Sequence, residues 1–161
     1  MNFKIAMFPG TFDPPTFGHL DIIKRASEMY DCLHVVIAEN INKRPLFDAQ
    51  ERLSIMQDLL QDISNVKVSV WSGAIVDYAK KNNIGVVVRG IRAVNDFEYE
   101  FELAMVYREM LPELEVLFMP TDPRLSMVRS SMIKEMAIFG ADISAFVPEE
   151  VIREVNKKIK P

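Results

Sequence analysis

The residues with the most chemical content stand in one early segment, Phe8-Pro9-Gly10-Thr11-Phe12-Asp13-Pro14-Pro15-Thr16-Phe17-Gly18-His19. It joins an apolar run to a helix-like stretch. Gly10 lets the main chain approach a ligand closely. Gly18-His19 falls where the helix would begin, and there unpaired N–H groups and the helix dipole favour anions. His19 can donate a hydrogen bond to a phosphate in either protonation state. A structural reading fits the same residues, a rigid turn with Thr16 as N-cap and a surface histidine. Composition alone weighs the two evenly. Arg89 is the second marked position. It ends the apolar run Val86-Val87-Val88, and an arginine at the carboxyl end of a buried strand is poorly explained as a solvated face.

Several chemistries are disfavoured. The chain has no Gly-x-x-x-x-Gly-Lys-Ser/Thr, no Gly-x-Gly-x-x-Gly and no nucleophile elbow, which argues against P-loop, dinucleotide-type and serine-hydrolase chemistry. Cys32 is the one cysteine, so no internal disulfide is available. With only His19 and His34 besides, the usual zinc ligand sets are missing, and no protein metal site is expected. The net charge of −4 argues against a nucleic-acid footprint. No apolar run approaches a membrane span, and the apolar N-terminal run is too short for a signal-peptide core. A cytoplasmic protein is expected.

The elements that must carry these residues follow from the pattern. β-Branched runs recur at Lys4–Phe8, Leu33–Ala38, Val66–Val70, Val86–Val88 and Val116–Met119. Helix-like stretches lie between them, from about Gly18 to Tyr30, Ala49 to Gln61 and Ile75 to Lys81, with Asp48 and Glu51 in a capping-box arrangement. Strand–helix alternation predicts an α/β fold. We expect one Rossmann-like, doubly wound domain over 1–161, with a five-stranded parallel sheet and helices on both faces. The run from Asp96 to Leu103 alternates like a strand, yet its continuation places Phe97, Phe101, Ala104, Met105 and Leu111 near one helical face. A helix ended before Pro112 is predicted, with Asn95 as N-cap. Two more helices are expected, from about Ser131 to Phe139 and from about Glu149 to Lys158. His34, Trp71, Cys32 and the ten methionines are read as packing.

Gly10-Thr11-Phe12-Asp13-Pro14 with Thr16-Phe17-Gly18-His19 resembles the signature of nucleotidyltransferases with a (His/Thr)-x-Gly-His motif. A second block, Arg89-Gly90-Ile91-Arg92-Ala93-Val94-Asn95-Asp96-Phe97-Glu98-Tyr99-Glu100, resembles the bacterial phosphopantetheine adenylyltransferase family. The resemblance spans about Lys4 to Pro148. It implies transfer of the adenylyl group of ATP to 4′-phosphopantetheine, giving dephospho-coenzyme A and pyrophosphate in the penultimate step of coenzyme A synthesis. Attack would be in line, without a covalent enzyme intermediate. By resemblance, His19, Lys43 and Arg92 are catalytic, and Thr11, Lys43, Ile75 and Arg89 bind the pantetheine substrate. The implied ATP contacts are Thr11, Phe12, His19, Gly90, Ile91, Arg92 and Glu100, together with the stretch Leu125-Ser126-Met127-Val128-Arg129-Ser130-Ser131. Mg²⁺ held through ATP phosphates, a homohexamer and coenzyme A feedback are also implied. Neither nucleic acid nor membrane is an expected partner.

The chain departs from the family at three places. Leu125 stands where an aromatic is common, and Arg129 where a third serine is usual. Gly73-Ala74-Ile75 replaces a pair of bulky apolar residues. Either the adenosine contacts differ or Arg129 adds a phosphate contact. Rival readings are a sister transferase for nicotinamide mononucleotide or for CTP, and a silent nucleotide- or coenzyme-A-binding module.

Overall fold

The computed structural model describes residues 2–39, 45–125 and 129–159. The elements run β1 (Asn2–Gly10), α1 (Phe17–Met29), β2 (Cys32–Ala38), α2 (Ala49–Leu60), β3 (Val66–Trp71), α3 (Ile75–Lys81), β4 (Ile84–Ile91), α4 (Val94–Met110), β5 (Glu115–Pro120), α5 (Ser130–Ile138) and α6 (Glu149–Ile159). The five strands form one parallel sheet in the order β3-β2-β1-β4-β5. The chain winds outward from β1 to β3, then returns to place β4 on the other side of β1. That reversal opens a crevice beyond the carboxyl ends of β1 and β4, where ligands bind in sheets of this kind.

Alternation along the central strands sorts the core. Ala6, Phe8, Leu33, Val35, Ile37, Val86 and Val88 face one side and pack with Ile22, Ile23 and Ala26 of α1 and Met56 and Leu60 of α2. Met7, Val36 and Val87 face the other and meet Val76 and Ala79 of α3 and Tyr107 and Leu111 of α4. The centre of β4, Ile84 to Val88, is buried throughout, as a strand covered on both faces should be. A third cluster joins Phe47 and Ile55 to Ile133 and Ala137 of α5 and Val151 and Val155 of α6. It seats α5 against the edge of the crevice.

The Asp48–Glu51 capping box forms: Asp48 accepts from the N–H groups of Gln50 and Glu51, and Glu51 accepts from the N–H of Asp48. One expectation for α4 is corrected. Ala93, in extended backbone and without a side-chain cap bond, is the N-cap, so Asn95 lies inside the helix. An i,i+4 pair, Arg92 to Asp96, spans this start and puts a carboxylate in the first turn, where the dipole favours it. Phe97, Phe101 and Met105 are partly exposed, and the Phe97 ring meets Phe118 of β5 edge to face at 5.4 Å; Leu103, Tyr107 and Leu111 are what α4 turns to the core.

Candidate active site

A cleft of about 830 Å³ occupies the crevice. Its floor is the β1–α1 loop. Phe12 takes a positive φ of 49° there, and its ring sits so close to Gly10 that a Cβ at Gly10 would lie 2.8 Å from it. Any side chain at position 10 would displace Phe12, and with it the wall behind His19, whose ring meets Phe12 edge to face with centroids 5.1 Å apart. Arg52, buried on the core face of α2, donates to the Thr11 carbonyl oxygen at 2.9 Å. Asp13, also buried, accepts from the N–H groups of Leu46 and Phe47 and from Lys134 of α5 at 2.7 Å. One carboxylate therefore ties the floor to the start of α2 and to α5. Asp13→Ala should leave an ammonium and two N–H groups without their acceptor, costing about 3–5 kcal/mol. The melting temperature should fall by roughly 10 °C, and an unchanged melting curve would show that the tether is dispensable.

His19 is oriented before any ligand arrives. Its Nδ1 receives the Thr16 N–H at 3.1 Å and lies 3.0 Å from Thr16 Oγ1, while Thr16 Oγ1 accepts from the His19 N–H. Thr16 is thus the N-cap of α1, and His19 completes the capping box. Because a backbone N–H points at Nδ1, that nitrogen carries the lone pair and the neutral ring bears its proton on Nε2. Desolvation, with the nearby Arg92 charge second, lowers the His19 pKa to about 4. The free site therefore presents a neutral Nε2–H donor at neutral pH. The functional and capping readings of this segment hold together: the cap bond sets the tautomer.

Three charged pairs line the opposite wall. Arg89, two residues before the end of β4, grips Glu100 through Nε and Nη2 at 2.5 and 2.8 Å and donates from Nη1 to the Pro9 carbonyl oxygen. Burial alone would lower the Arg89 pKa, but the Glu100 hydrogen bonds and charge raise it above the ordinary value. Arg92 holds Asp96 in a fork at 3.0 and 3.2 Å. Arg129 reaches the same carboxylate at 3.6 Å. No side chain caps α5, and Ser130 Oγ donates to the Pro14 carbonyl oxygen.

The cleft gathers Thr11, Phe12, His19, Arg89, Gly90, Arg92, Glu100, Leu125, Arg129, Ser130 and Ser131 from the sequence-derived set. Both oxygens of Glu100 are taken by Arg89, so in the free protein Glu100 is first a partner of that arginine. Ile91 lines a neighbouring, mostly apolar recess of about 440 Å³ with Ala93, Val94, Phe97, Pro120 and Pro123. Ile75 packs against the α3-side core, and Ser72 is what that connection contributes to the cleft. Lys43, Ser126, Met127 and Val128 lie outside the described residues. Sequence reading passed over Asp13, Arg52, Asp96 and Lys134 as site residues. Arg52 carried a signal, since it shares the core face of α2 with Ile55, Met56 and Leu60. Lys134 follows Ser130 by one helical turn. Among the described residues, no group of three or more His, Cys, Asp or Glu side chains is placed to hold a metal ion, and no helix is long and apolar enough to cross a membrane.

A cytidylyltransferase-like family model matches residues 7–136. A phosphopantetheine adenylyltransferase from Alkaliphilus metalliredigens is 44% identical over 155 residues, covering 96% of this chain and 99% of that relative. Proteins of the same name from Dictyoglomus turgidum and Clostridium tetani are each 46% identical over 155 residues, covering 96% of this chain and 97% of theirs. A solved structure from Vibrio parahaemolyticus, assigned as a nicotinate-nucleotide adenylyltransferase, superposes with a TM-score of 0.71 at 23% identity, over 96% of this chain and 99% of that one. This last likeness speaks to the fold alone.

Proposed function

The chain belongs to the phosphopantetheine adenylyltransferase family, and from that premise we infer that it transfers the adenylyl group of ATP to 4′-phosphopantetheine, giving dephospho-coenzyme A and pyrophosphate. One observation carries the reading. A neutral His19 Nε2–H donor, Arg89, Arg92 and two helix N-termini converge on one cleft at the switch point of the sheet.

In the proposed mechanism a phosphate oxygen of phosphopantetheine attacks the α-phosphorus of ATP. The P–O bond to the β-phosphate breaks on the opposite side, and pyrophosphate leaves. The attacking oxygen is already anionic, so the chain need supply neither nucleophile nor general base. Its task is to bind, align and stabilise charge, and alignment alone can be worth about 7–11 kcal/mol. Arg89 uses Nε, one Nη1 proton and one Nη2 proton on Glu100 and Pro9, leaving one N–H on each terminal nitrogen for the pantetheine phosphate. Thr11 and Lys43 complete that subsite by family correspondence. His19 and Arg92 meet the charge that grows on the departing pyrophosphate. The apolar recess beside Ile91 is suited to the purine.

Mg²⁺ fits this arrangement as a companion of the ATP phosphates and water, since Asp13, Asp96 and Glu100 each hold a cation already. Bound there, it would neutralise phosphate charge. The exposed apolar residues Val94, Tyr99, Phe101, Met105, Val106 and Met110 of α4 suit cover by further copies of the chain, because a helix apolar on several sides is normally buried. We place a homohexamer contact there, consistent with the family. A cytoplasmic enzyme subject to coenzyme A feedback completes the proposal.

The direct test supplies Mg²⁺-ATP and 4′-phosphopantetheine and follows pyrophosphate, with nicotinamide mononucleotide and CTP as parallel controls. Release that needs both proposed substrates, with dephospho-coenzyme A seen by mass, is expected. Release with a control pair instead would move the chain to a sister activity. ATP binding without turnover would make it a silent module.

A further inference from the structure

Arg129 is the N-cap of α5 at the wall of the cleft, and the structure shows what its side chain does there. The cations lining the cleft differ in how firmly they are held. Arg89 is gripped by Glu100 in a largely buried bidentate pair. Lys134 sits on buried Asp13 at 2.7 Å. Arg92 holds Asp96 by two hydrogen bonds. Arg129 makes one looser contact, 3.6 Å to the Asp96 oxygen that Arg92 Nη2 already uses, and its side chain is 63% exposed. An exposed pair of this kind contributes about 0–1 kcal/mol. Two guanidinium groups thus share one carboxylate, and the trio keeps a net charge of +1.

The position selects the ligand group. Asp96 stands where an anion touches Arg92 and Arg129 together. The Arg92 charge also acts on His19, so these groups border one region of the cleft. Arg129 is the N-cap of α5, a nine-residue helix that no side chain caps and whose first turn brings Ser130 and Ser131 to the cleft. A polyphosphate entering there would exchange with Asp96 for the weakly held arginine while Arg92 keeps its fork. Building on the adenylyl-transfer reading, we propose that Arg129 is a second guanidinium for the leaving pyrophosphate, held in reserve by Asp96 until ATP binds. It contacts the β- and γ-phosphates rather than the adenosine.

Titration calorimetry with ATP, inorganic pyrophosphate and AMP tests this on the wild-type protein, Arg129→Ser and Arg129→Lys. The serine variant keeps a good N-cap and should fold. It should bind ATP and pyrophosphate about 10-fold more weakly and AMP as the wild type does. The lysine variant should fall between, because it keeps the charge without the fork. The deficit should shrink as salt is raised. Unchanged ATP and pyrophosphate affinities would overturn the proposal, and so would an equal loss for AMP, which would put Arg129 on the nucleoside. None of these titrations involves phosphopantetheine. A wild-type enzyme that binds ATP but makes no dephospho-coenzyme A would therefore defeat the broader reading while leaving the arginine result standing.

Discussion

Replacing His19 by alanine is expected to lower kcat by about 10²-fold or more while leaving ATP affinity nearly unchanged. The geometry dictates this split. Thr16 donates to Nδ1 and fixes the proton on Nε2, so the ring faces the cleft as a preset neutral donor. Such a donor gains most where charge gathers on the departing pyrophosphate, and less from ATP at rest. The pH dependence follows with a definite sign. The His19 pKa in the folded protein, about 4, lies below the ordinary 6.5. The group's contribution to stability is thus fully present above pH 6.5 and is lost as pH falls toward 4. For the same reason kcat/KM for ATP should show no limb near 6.5 from this residue; the acid limb belongs near 4. A kcat within twofold of wild type in His19→Ala would remove the histidine from the chemistry.

The second large effect concerns Arg89. Arg89→Ala should raise KM for phosphopantetheine by about 10²-fold, as expected when one partner of a buried charge contact is truncated. It should also destabilise the protein, because Glu100, only 14% exposed at its side chain, is left as an uncompensated carboxylate. These two losses separate in the double variant. Arg89→Ala with Glu100→Gln should regain much of the thermal stability, since the stranded charge is gone, yet keep the raised KM. An unaltered KM in the single variant, with activity retained, would take Arg89 out of the substrate site. Recovery of KM in the double variant would make Arg89 a structural residue only.

The parallel sheet and the position of the cleft were legible because they rest on local patterning. Apolar β-branched runs alternating with helical stretches leave few arrangements for a parallel sheet, and the observed order puts the motif loop at its switch point. The site was legible where residue type and place coincide: a histidine at a helix start, an arginine near the end of a buried strand. It was not legible where a role depends on a partner far along the chain. Lys134 and Asp13 are 121 residues apart and Arg52 and Thr11 are 41 apart, so no spacing marks them as pairs. What covers the apolar residues of α4 was left open for a related reason. Periodicity reports that a face is apolar and is silent on whether the sheet or another copy of the chain covers it.

The sequence by itself determined the fold class, the two motif blocks and the family they place the chain in, since these depend on residue types at short range. Tertiary structure decided the working state of those residues. It set the His19 tautomer through the Thr16 N–H, engaged Glu100 with Arg89, made Asp13 a tether, and left Arg129 sharing the Asp96 carboxylate with Arg92. The physical reason is that hydrogen-bond direction and charge pairing are fixed by distances of about 3 Å, and only the packed sheet and helices bring distant residues that close.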